Sequence, residues 1–201
     1  FKGRTFPLRP MARGTIIPYY ATDYIVAYIN QVQSCAPDEK LMRLLESLKP
    51  EHIVRLKGVD YAWIYPTPKE IPDEAIPAQN VVRAQFDDII ALLGYDAEVK
   101  GEELVVTLCW QSLGHKLKED LMLELVLSSQ EGKMLSRYEG PLIKDKLFST
   151  ALAEERMILK DGRTLPISRI QKGIYYLKLR LLSAARRQRM REIKGSVILG
   201  S

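Results

Sequence analysis

The sequence is poor in the residues that metal sites and nucleophilic sites require. Its 201 residues include only two cysteines, Cys35 and Cys109, and two histidines, His52 and His115. No Cys-x-x-Cys pair occurs and each histidine stands alone, so a zinc site is not expected. A Cys35–Cys109 disulfide would need an oxidising compartment. Two unpaired thiols are the favoured alternative.

Several catalytic and membrane-spanning patterns are also missing. The sequence has no GxxxxGK[ST] phosphate loop, no GxGxxG after a strand and no GxSxG nucleophile elbow. No run approaches the roughly 20 apolar residues that cross a bilayer. Asp87 and Asp88 are adjacent, and in a predicted strand they would point to opposite faces rather than converge on a cation. The sequence therefore predicts no catalytic residue, no metal and no cofactor.

The charge is distributed unevenly along the chain. The net charge is +5, yet residues 1–20 carry four basic and no acidic residues, and residues 156–201 carry twelve basic and two acidic ones. Such ends favour an anionic neighbour, lipid headgroups above all, with a merely solvated basic segment as the alternative. The candidate contacts are Arg4, Arg9, Arg13, Arg186, Arg187, Arg189 and Arg191. A nucleic-acid partner is not expected, because no aromatic residue is interleaved with the C-terminal arginines.

The first 66 residues read as a small strand–helix–strand unit after an extended N-terminal segment. Alternation predicts a strand over 23–30, and the leucine spacing predicts a helix over 38–48. Further strands are predicted over 52–56 and 59–65, with a turn at Lys57-Gly58. Four prolines between positions 66 and 77 predict a linker over 67–79.

The sequence after the linker has the pattern of a β-sheet protein. Short alternating runs separated by turn residues predict an antiparallel β-sandwich over 80–201, jelly-roll or immunoglobulin-like. The predicted strands are 86–95, 103–111, 121–128, 134–138, 156–159 and 173–182. A helix is the alternative for 184–193. The predicted fold class is therefore α+β, a small α/β unit followed by a sandwich.

One aromatic cluster is a candidate sugar site. In strict alternation Tyr61, Trp63 and Tyr65 share one face of their strand, and Asp60 lies beside them on the chain. Aromatic rings stack on sugar rings and a carboxylate binds sugar hydroxyls. Packing in a core is the more common role of such a stripe.

Two stretches carry a resemblance to a known family. ATDYIVAYINQVQ at 21–33 and PEHIVRLKGVDYAWIYP at 50–66 resemble the segment that follows the last membrane helices in bacterial relatives of the protein O-mannosyltransferases. The second half is similar to a β-sandwich appended to many of those proteins. The matching positions there are Gly94-Tyr95-Asp96, Leu108-Cys109-Trp110-Gln111 and Gly173-Ile174-Tyr175.

The resemblance implies a non-catalytic, extracytoplasmic region of a polytopic membrane glycosyltransferase that uses lipid-phosphate-linked sugars. The catalytic carboxylate of such enzymes belongs to the membrane region, so none is assigned to this chain. A chain that opens at Phe1 is then expected to continue a longer protein. The expected partners are its own transmembrane region, an anionic membrane surface at the outer side of a bacterial cell membrane, and a glycan or lipid-linked sugar. The alternative is an independent carbohydrate-binding β-sandwich.

Overall fold

The described residues form three antiparallel sheets, a short α-helix and a 3-10 turn of helix at Asp73–Ala75. The computed structural model describes residues 16–17, 21–30, 39–86, 88–114, 121–142, 155–167, 173–183 and 189–199, and only the backbone at 16–17, 183 and 189–199. The elements, in chain order, are β1 (Ile16–Ile17), β2 (Tyr24–Tyr28), α1 (Glu39–Ser47), β3 (His52–Leu56), β4 (Val59–Pro66), β5 (Asn80–Phe86), β6 (Ile90–Lys100), β7 (Glu103–Ser112), β8 (Leu121–Ser128), β9 (Met134–Pro141), β10 (Ile158–Pro166), β11 (Gly173–Ser183) and β12 (Arg189–Leu199).

Two of the sheets form a sandwich. The five-stranded sheet has the order β1-β10-β7-β6-β5, and the four-stranded sheet has the order β12-β11-β8-β9. Every pairing between the described strands is antiparallel. The prediction of an α+β chain dominated by an antiparallel sandwich is confirmed.

The sandwich core follows from strand alternation. In β7, Leu104, Val106, Leu108 and Trp110 are at most 1% exposed, as their period of two predicts. They pack against the alternate leucines of β8 on the facing sheet. Trp110 also contacts Phe86 edge to face, with ring centroids 5.8 Å apart. This core is continuous across both sheets.

The third sheet, of order β2-β4-β3, belongs to a small unit made of β2, α1, β3 and β4. The helix buries Leu41, Leu44 and Leu45 on one side, which is the predicted leucine face. The β3–β4 hairpin turns at Lys57 and Gly58, whose φ angles of +52° and +80° fit a two-residue type I′ turn. Asp38, the first residue of the predicted helix, lies outside the described residues.

The small unit shares a core with the sandwich. Leu93, Cys109 and Ile158, on the outer side of the five-stranded sheet, pack in one cluster with Leu44 of α1 and with Ile76. The proline-rich segment supplies Ile76 to this cluster, together with Ile71, Ala75 and Ala78. Prolines lack an N–H donor, so such a segment can be buried with fewer backbone donors to satisfy. The division into 1–66, 67–79 and 80–201 stays a prediction.

Lys40 fastens this segment to the helix. Its ammonium donates to the carbonyls of Ile76, at 2.5 Å, and Ala78, at 2.7 Å. The segment thus fills the space between α1 and the sandwich.

Three sequence predictions about strands are wrong. The run 86–95 is two strands, β5 and β6, because the N–H of Ile89 donates back to the carbonyl of Phe86 at 3.3 Å and closes a turn. Asp88 lies in this turn rather than in a strand, and Asp87 lies outside the described residues. Strand β10 begins at Ile158 and extends to Pro166.

The alternative prediction of a helix over 184–193 is also wrong from Arg189 onward. Strand β12 begins there and pairs with β11 along most of its length. Sheet pairing therefore outweighs the favourable helix propensity of arginine in this stretch.

Candidate functional site

A β-bulge in β4 rearranges the predicted sugar site. Val54 of β3 pairs with Ala62 of β4, whereas the next residue, Arg55, pairs with Asp60. Tyr61 is therefore the extra residue, and the alternation of β4 changes phase around it. The predicted stripe of Tyr61, Trp63 and Tyr65 on one face is wrong for Tyr61, and Asp60 lies on the opposite face from the one predicted.

Because of the bulge, Asp60 lies with Trp63 and Tyr65 on the side of the sheet that faces α1. The Asp60 carboxylate accepts hydrogen bonds from Arg55 Nε at 2.8 Å and from Trp63 Nε1 at 3.2 Å. These bonds, that from Arg55 first, hold the pKa of Asp60 below its usual range. The carboxylate is thus engaged within the sheet, and Tyr65 is buried at 5% exposure. A stacking platform of these residues does not form.

The opposite side of the sheet is open, and we call it the outer face. It carries Tyr24, Val26 and Tyr28 of β2, Val54 and Leu56 of β3, and Val59 and Tyr61 of β4, all between 38% and 70% exposed. The register places them together, because Ile25 and Ala27 are buried against α1 and their neighbours in β2 point away. Tyr61 meets Tyr28 edge to face at 5.7 Å, which confirms that the bulge has moved it to this side.

The outer face carries no Asp, Glu, Lys or Arg at its strand positions. Beside the seven exposed residues it holds Ala62, Ile64 and Pro66 of β4, and His52 at the start of β3. Eight of the thirteen large apolar side chains that are exposed in the described part of the chain belong to this three-stranded sheet. Such a concentration marks an interaction surface rather than scattered exposure.

The hairpin tip extends this surface. Leu56 and Val59 face each other across the turn, at 54% and 70% exposure. Lys57 stands between them in the turn, and the Arg55 side chain is 61% exposed nearby. Tip and outer face together form a continuous apolar surface with cations at one end.

A second cluster of charged residues lies inside the sandwich. Arg163 is 3% exposed and Asp161 is 2% exposed, and Arg163 Nε donates to the Asp161 carboxylate at 2.7 Å. Its other two nitrogens donate to Tyr138 Oη and to the carbonyls of Pro141 and Leu142. All three guanidinium nitrogens thus have acceptors, so this cluster ties β10 to the edge strand β9 and is structural.

Glycine at position 140 makes room for this cluster. A Cβ built on Gly140 would lie 2.4 Å from Tyr138 Oη. Any larger residue would therefore displace the phenol that binds Arg163.

The outer side of the four-stranded sheet carries a cluster of bonded charged residues. Glu124, with a side chain 7% exposed, accepts from Arg137 Nε at 2.8 Å and from Arg180 Nη1 at 3.0 Å. Tyr176 stands two strand positions from Lys178 on the same side and is 41% exposed. The surface combines an aromatic ring with fixed charged groups.

The remaining predicted site residues and the cysteines can be placed as follows. Five of the arginines predicted to contact a membrane lie outside the described residues: Arg4, Arg9, Arg13, Arg186 and Arg187. The other two, Arg189 and Arg191, are described by their backbone alone, in β12. Cys109 is free and buried, and burial raises the pKa of its thiol to about 12. Cys35 lies outside the described residues.

The described residues show neither a metal-binding cluster nor a membrane-spanning helix. No group of three metal-ligating side chains occurs within the described ranges. Among the residues that the structure describes, no helix has the length and apolar character needed to cross a bilayer.

Comparison with known proteins yields likenesses in structure alone. No model of a known protein family matches the sequence, and no curated protein matches it. A glycosyl hydrolase family 2 member from Bacteroides cellulosilyticus has a TM-score of 0.40 at 17% identity, over 52% of this chain and 13% of that one. A β-glucuronidase from Ruminococcus gnavus has a TM-score of 0.29 at 12% identity, over 68% of this chain and 16% of that one. This chain thus corresponds to a small share of each hydrolase, and such scores carry no argument about activity.

Proposed function

We propose that this chain is a non-catalytic, extracytoplasmic region of a membrane glycosyltransferase related to the protein O-mannosyltransferases, with its outer face turned toward the membrane. The observation that carries the proposal is the outer face itself, a sheet surface free of charged residues that no part of the described chain covers. The resemblance of 21–33 and 50–66 supports the same conclusion, because those stretches form β2, β3 and β4, the strands of this face.

The geometry favours docking over sugar binding at this face. The Tyr28 and Tyr61 rings are inclined at 74°, so they do not form a flat platform for a sugar ring. Asp60, the carboxylate expected to bind sugar hydroxyls, lies on the other side and is bonded to Arg55 and Trp63. The remaining positions carry valine and leucine, which suit contact with an apolar surface.

The basic ends of the chain fit a membrane location. Each Lys or Arg near an anionic membrane surface contributes about 1 kcal/mol of attraction. Residues 1–20 lead directly into β2 with four such residues and no acidic one. In this arrangement the small unit lies nearest the bilayer and the sandwich projects outward.

Two experiments test the proposal. The reading frame upstream of Phe1 is expected to encode several apolar segments of about 20 residues, and a frame without them would overturn the membrane assignment. The purified chain, incubated with a lipid-phosphate-linked mannose and a serine-rich peptide, is expected to show no transfer. Turnover by the chain alone would show that the region is catalytic.

A second candidate is an independent carbohydrate-binding sandwich. The observation that favours it is Tyr176, exposed on the same sheet surface as the Arg137–Glu124–Arg180 cluster. If it holds, the Tyr176→Ala variant would lose retardation in affinity gels containing soluble polysaccharide, and Val99→Ala, similarly exposed at 43% on the other sheet, would keep it. Equal migration of both variants and the parent, with and without polysaccharide, would exclude this candidate.

A further inference from the structure

We infer that the outer face and the β3–β4 hairpin tip bind directly to the interface of an anionic lipid bilayer, with the tip inserted deepest. This inference deepens the proposed function, on which it rests, by naming what covers the face. Lipid, a second copy of the chain and a protein partner are the occupants that an apolar sheet surface can have. The described residues favour the first.

An interfacial element needs few contacts with lipid. Only a few apolar side chains have to enter the headgroup region, and Leu56 and Val59, at 54% and 70% exposure, are free to do so at the tip. A second copy of the chain would have to cover the whole face, because a stable protein complex buries about 800 Å² on each partner.

The composition of the face suits the bilayer interface. Tyr24, Tyr28 and Tyr61 combine an apolar ring with a hydroxyl, and tyrosine is enriched at the depth where water meets hydrocarbon. Val26 and Val54 lie between them in the sheet.

The hairpin tip provides the deepest contact. Leu56 and Val59 project beside the turn at 54% and 70% exposure. Lys57, in the turn, carries the charge expected of a residue that meets headgroup phosphates, and long basic side chains reach back to the interface from an inserted segment. The segment 1–20, which precedes β2, adds four basic residues and no acidic one. The tip itself combines two exposed apolar side chains with a cation.

Vesicle co-sedimentation of the full chain tests the inference. The probes are vesicles of phosphatidylcholine alone and of phosphatidylcholine with about one third phosphatidylglycerol. The double variant Leu56→Ser/Val59→Ser is expected to lower the partition coefficient into the anionic vesicles at least tenfold. The matched control Met134→Ser/Ile174→Ser, exposed at 59% and 47% on the four-stranded sheet, is expected to change it less than twofold.

A charge variant separates the two contributions. Lys57→Glu is expected to weaken binding to the anionic vesicles several-fold and to leave binding to neutral vesicles unchanged. Circular dichroism of each variant checks that the sheets are retained. We expect them to be retained, because the substituted side chains are exposed. Sedimentation velocity without lipid is expected to show a monomer.

Three outcomes would overturn the inference. These are no sedimentation of the chain with either vesicle, equal losses for the tip and control variants, or a dimer that the tip variant dissociates. They would remove the orientation of the outer face toward the membrane, but they would leave the assignment to a membrane glycosyltransferase open, since that depends on the upstream reading frame. Conversely, tip-dependent binding by a chain with no upstream membrane segments would leave the inference intact and overturn the proposed function.

Discussion

The four-stranded sheet of the sandwich and the three-stranded sheet of the small unit differ in the faces they turn outward. On the former, Glu124 is bonded to Arg137 and Arg180, so the outward side includes charged groups that bond to each other. On the latter, no charged residue occupies an outward strand position. The difference therefore lies in the outward side, which carries bonded charges in the four-stranded sheet and uncharged, mainly apolar side chains in the three-stranded sheet.

The two regions also differ in what their interiors contain. The sandwich encloses the Asp161–Arg163 pair, whereas the buried cluster under α1 is formed by hydrophobic side chains. The two regions nevertheless share one buried cluster, which contains Cys109 of β7 and Leu44 of α1. Each prediction below tests one side of this comparison or the boundary between them.

The largest effect is expected inside the sandwich. Asp161→Ala would leave the buried Arg163 guanidinium without its carboxylate, and breaking a buried pair on one side costs about 3–5 kcal/mol of unfolding free energy. Urea denaturation followed by circular dichroism measures the loss. The double variant Asp161→Leu/Arg163→Met is expected to recover most of it, because neither charge then remains buried. A single variant as stable as the parent would show that this pair does not hold the sandwich.

A pair of leucine variants compares the two cores. Leu44→Ala in α1 and Leu125→Ala in β8 each remove a side chain that is at most 1% exposed, at a cost of about 2–5 kcal/mol. The shared cluster leads us to expect that Leu44→Ala also accelerates alkylation of Cys109 at least tenfold at low urea, through local opening of the small unit. The Leu125→Ala variant serves as the control.

Both variants are made in a Cys35→Ser background, so that alkylation reports Cys109 alone. If both leucine changes accelerate the reaction equally, the small unit and the sandwich open as one cooperative body. The boundary near residue 67 would then have no thermodynamic meaning.

The boundary also has a pH signature. Burial raises the pKa of Cys109 from its ordinary value of 9.0 to about 12. Between these values the unfolded chain releases the thiol proton and the folded chain keeps it. The free energy of unfolding is therefore expected to fall as pH rises above 9, by at most about 1.4 kcal/mol per pH unit.

Denaturation at pH 8.5, 9.5 and 10.5 measures this slope. Cys109→Ala is the control, and its stability is expected to lose this component of the pH dependence. Identical slopes for the parent and the variant would mean that Cys109 is exposed, and hence that α1 does not cover it.

The difference between the regions sets how much of the fold could be predicted. In the sandwich, β7 alternates without interruption, so Leu104 through Trp110 reveal both strand and core directly. In the small unit, the same rule fails at Tyr61, because the bulge depends on how β3 pairs with β4, and one sequence does not display that register. The misplacement of Asp60 and Tyr61 follows from this single residue.

The outer face could have been found from the sequence in part. Alternation in β2 already separates Tyr24, Val26 and Tyr28 from Ile25 and Ala27, but it does not say which set is covered. The proline-rich segment is predicted as a linker because prolines exclude regular structure, and its composition does not reveal that Ile76 within it is buried. Burial of such irregular segments depends on tertiary neighbours that composition does not reveal.

The smallest effect tests the bulge itself. Only the phase change at Tyr61 brings Trp63 Nε1 within 3.2 Å of the Asp60 carboxylate, since residues three apart in a regular strand point to opposite faces. Because Arg55 and Trp63 both lower the pKa of Asp60, Arg55→Gln is expected to raise it and Trp63→Phe to raise it less. The carboxylate interactions stabilise the fold above the ordinary pKa of 3.8 and are lost as pH falls below it.

NMR titration of the Asp60 side chain measures both shifts, with Asp73, whose bond to Arg83 lies in another part of the chain, as the control. A Trp63→Phe variant with an unchanged Asp60 pKa would mean that β4 alternates regularly, that Tyr61 faces α1, and that the outer face has lost one of its three tyrosines.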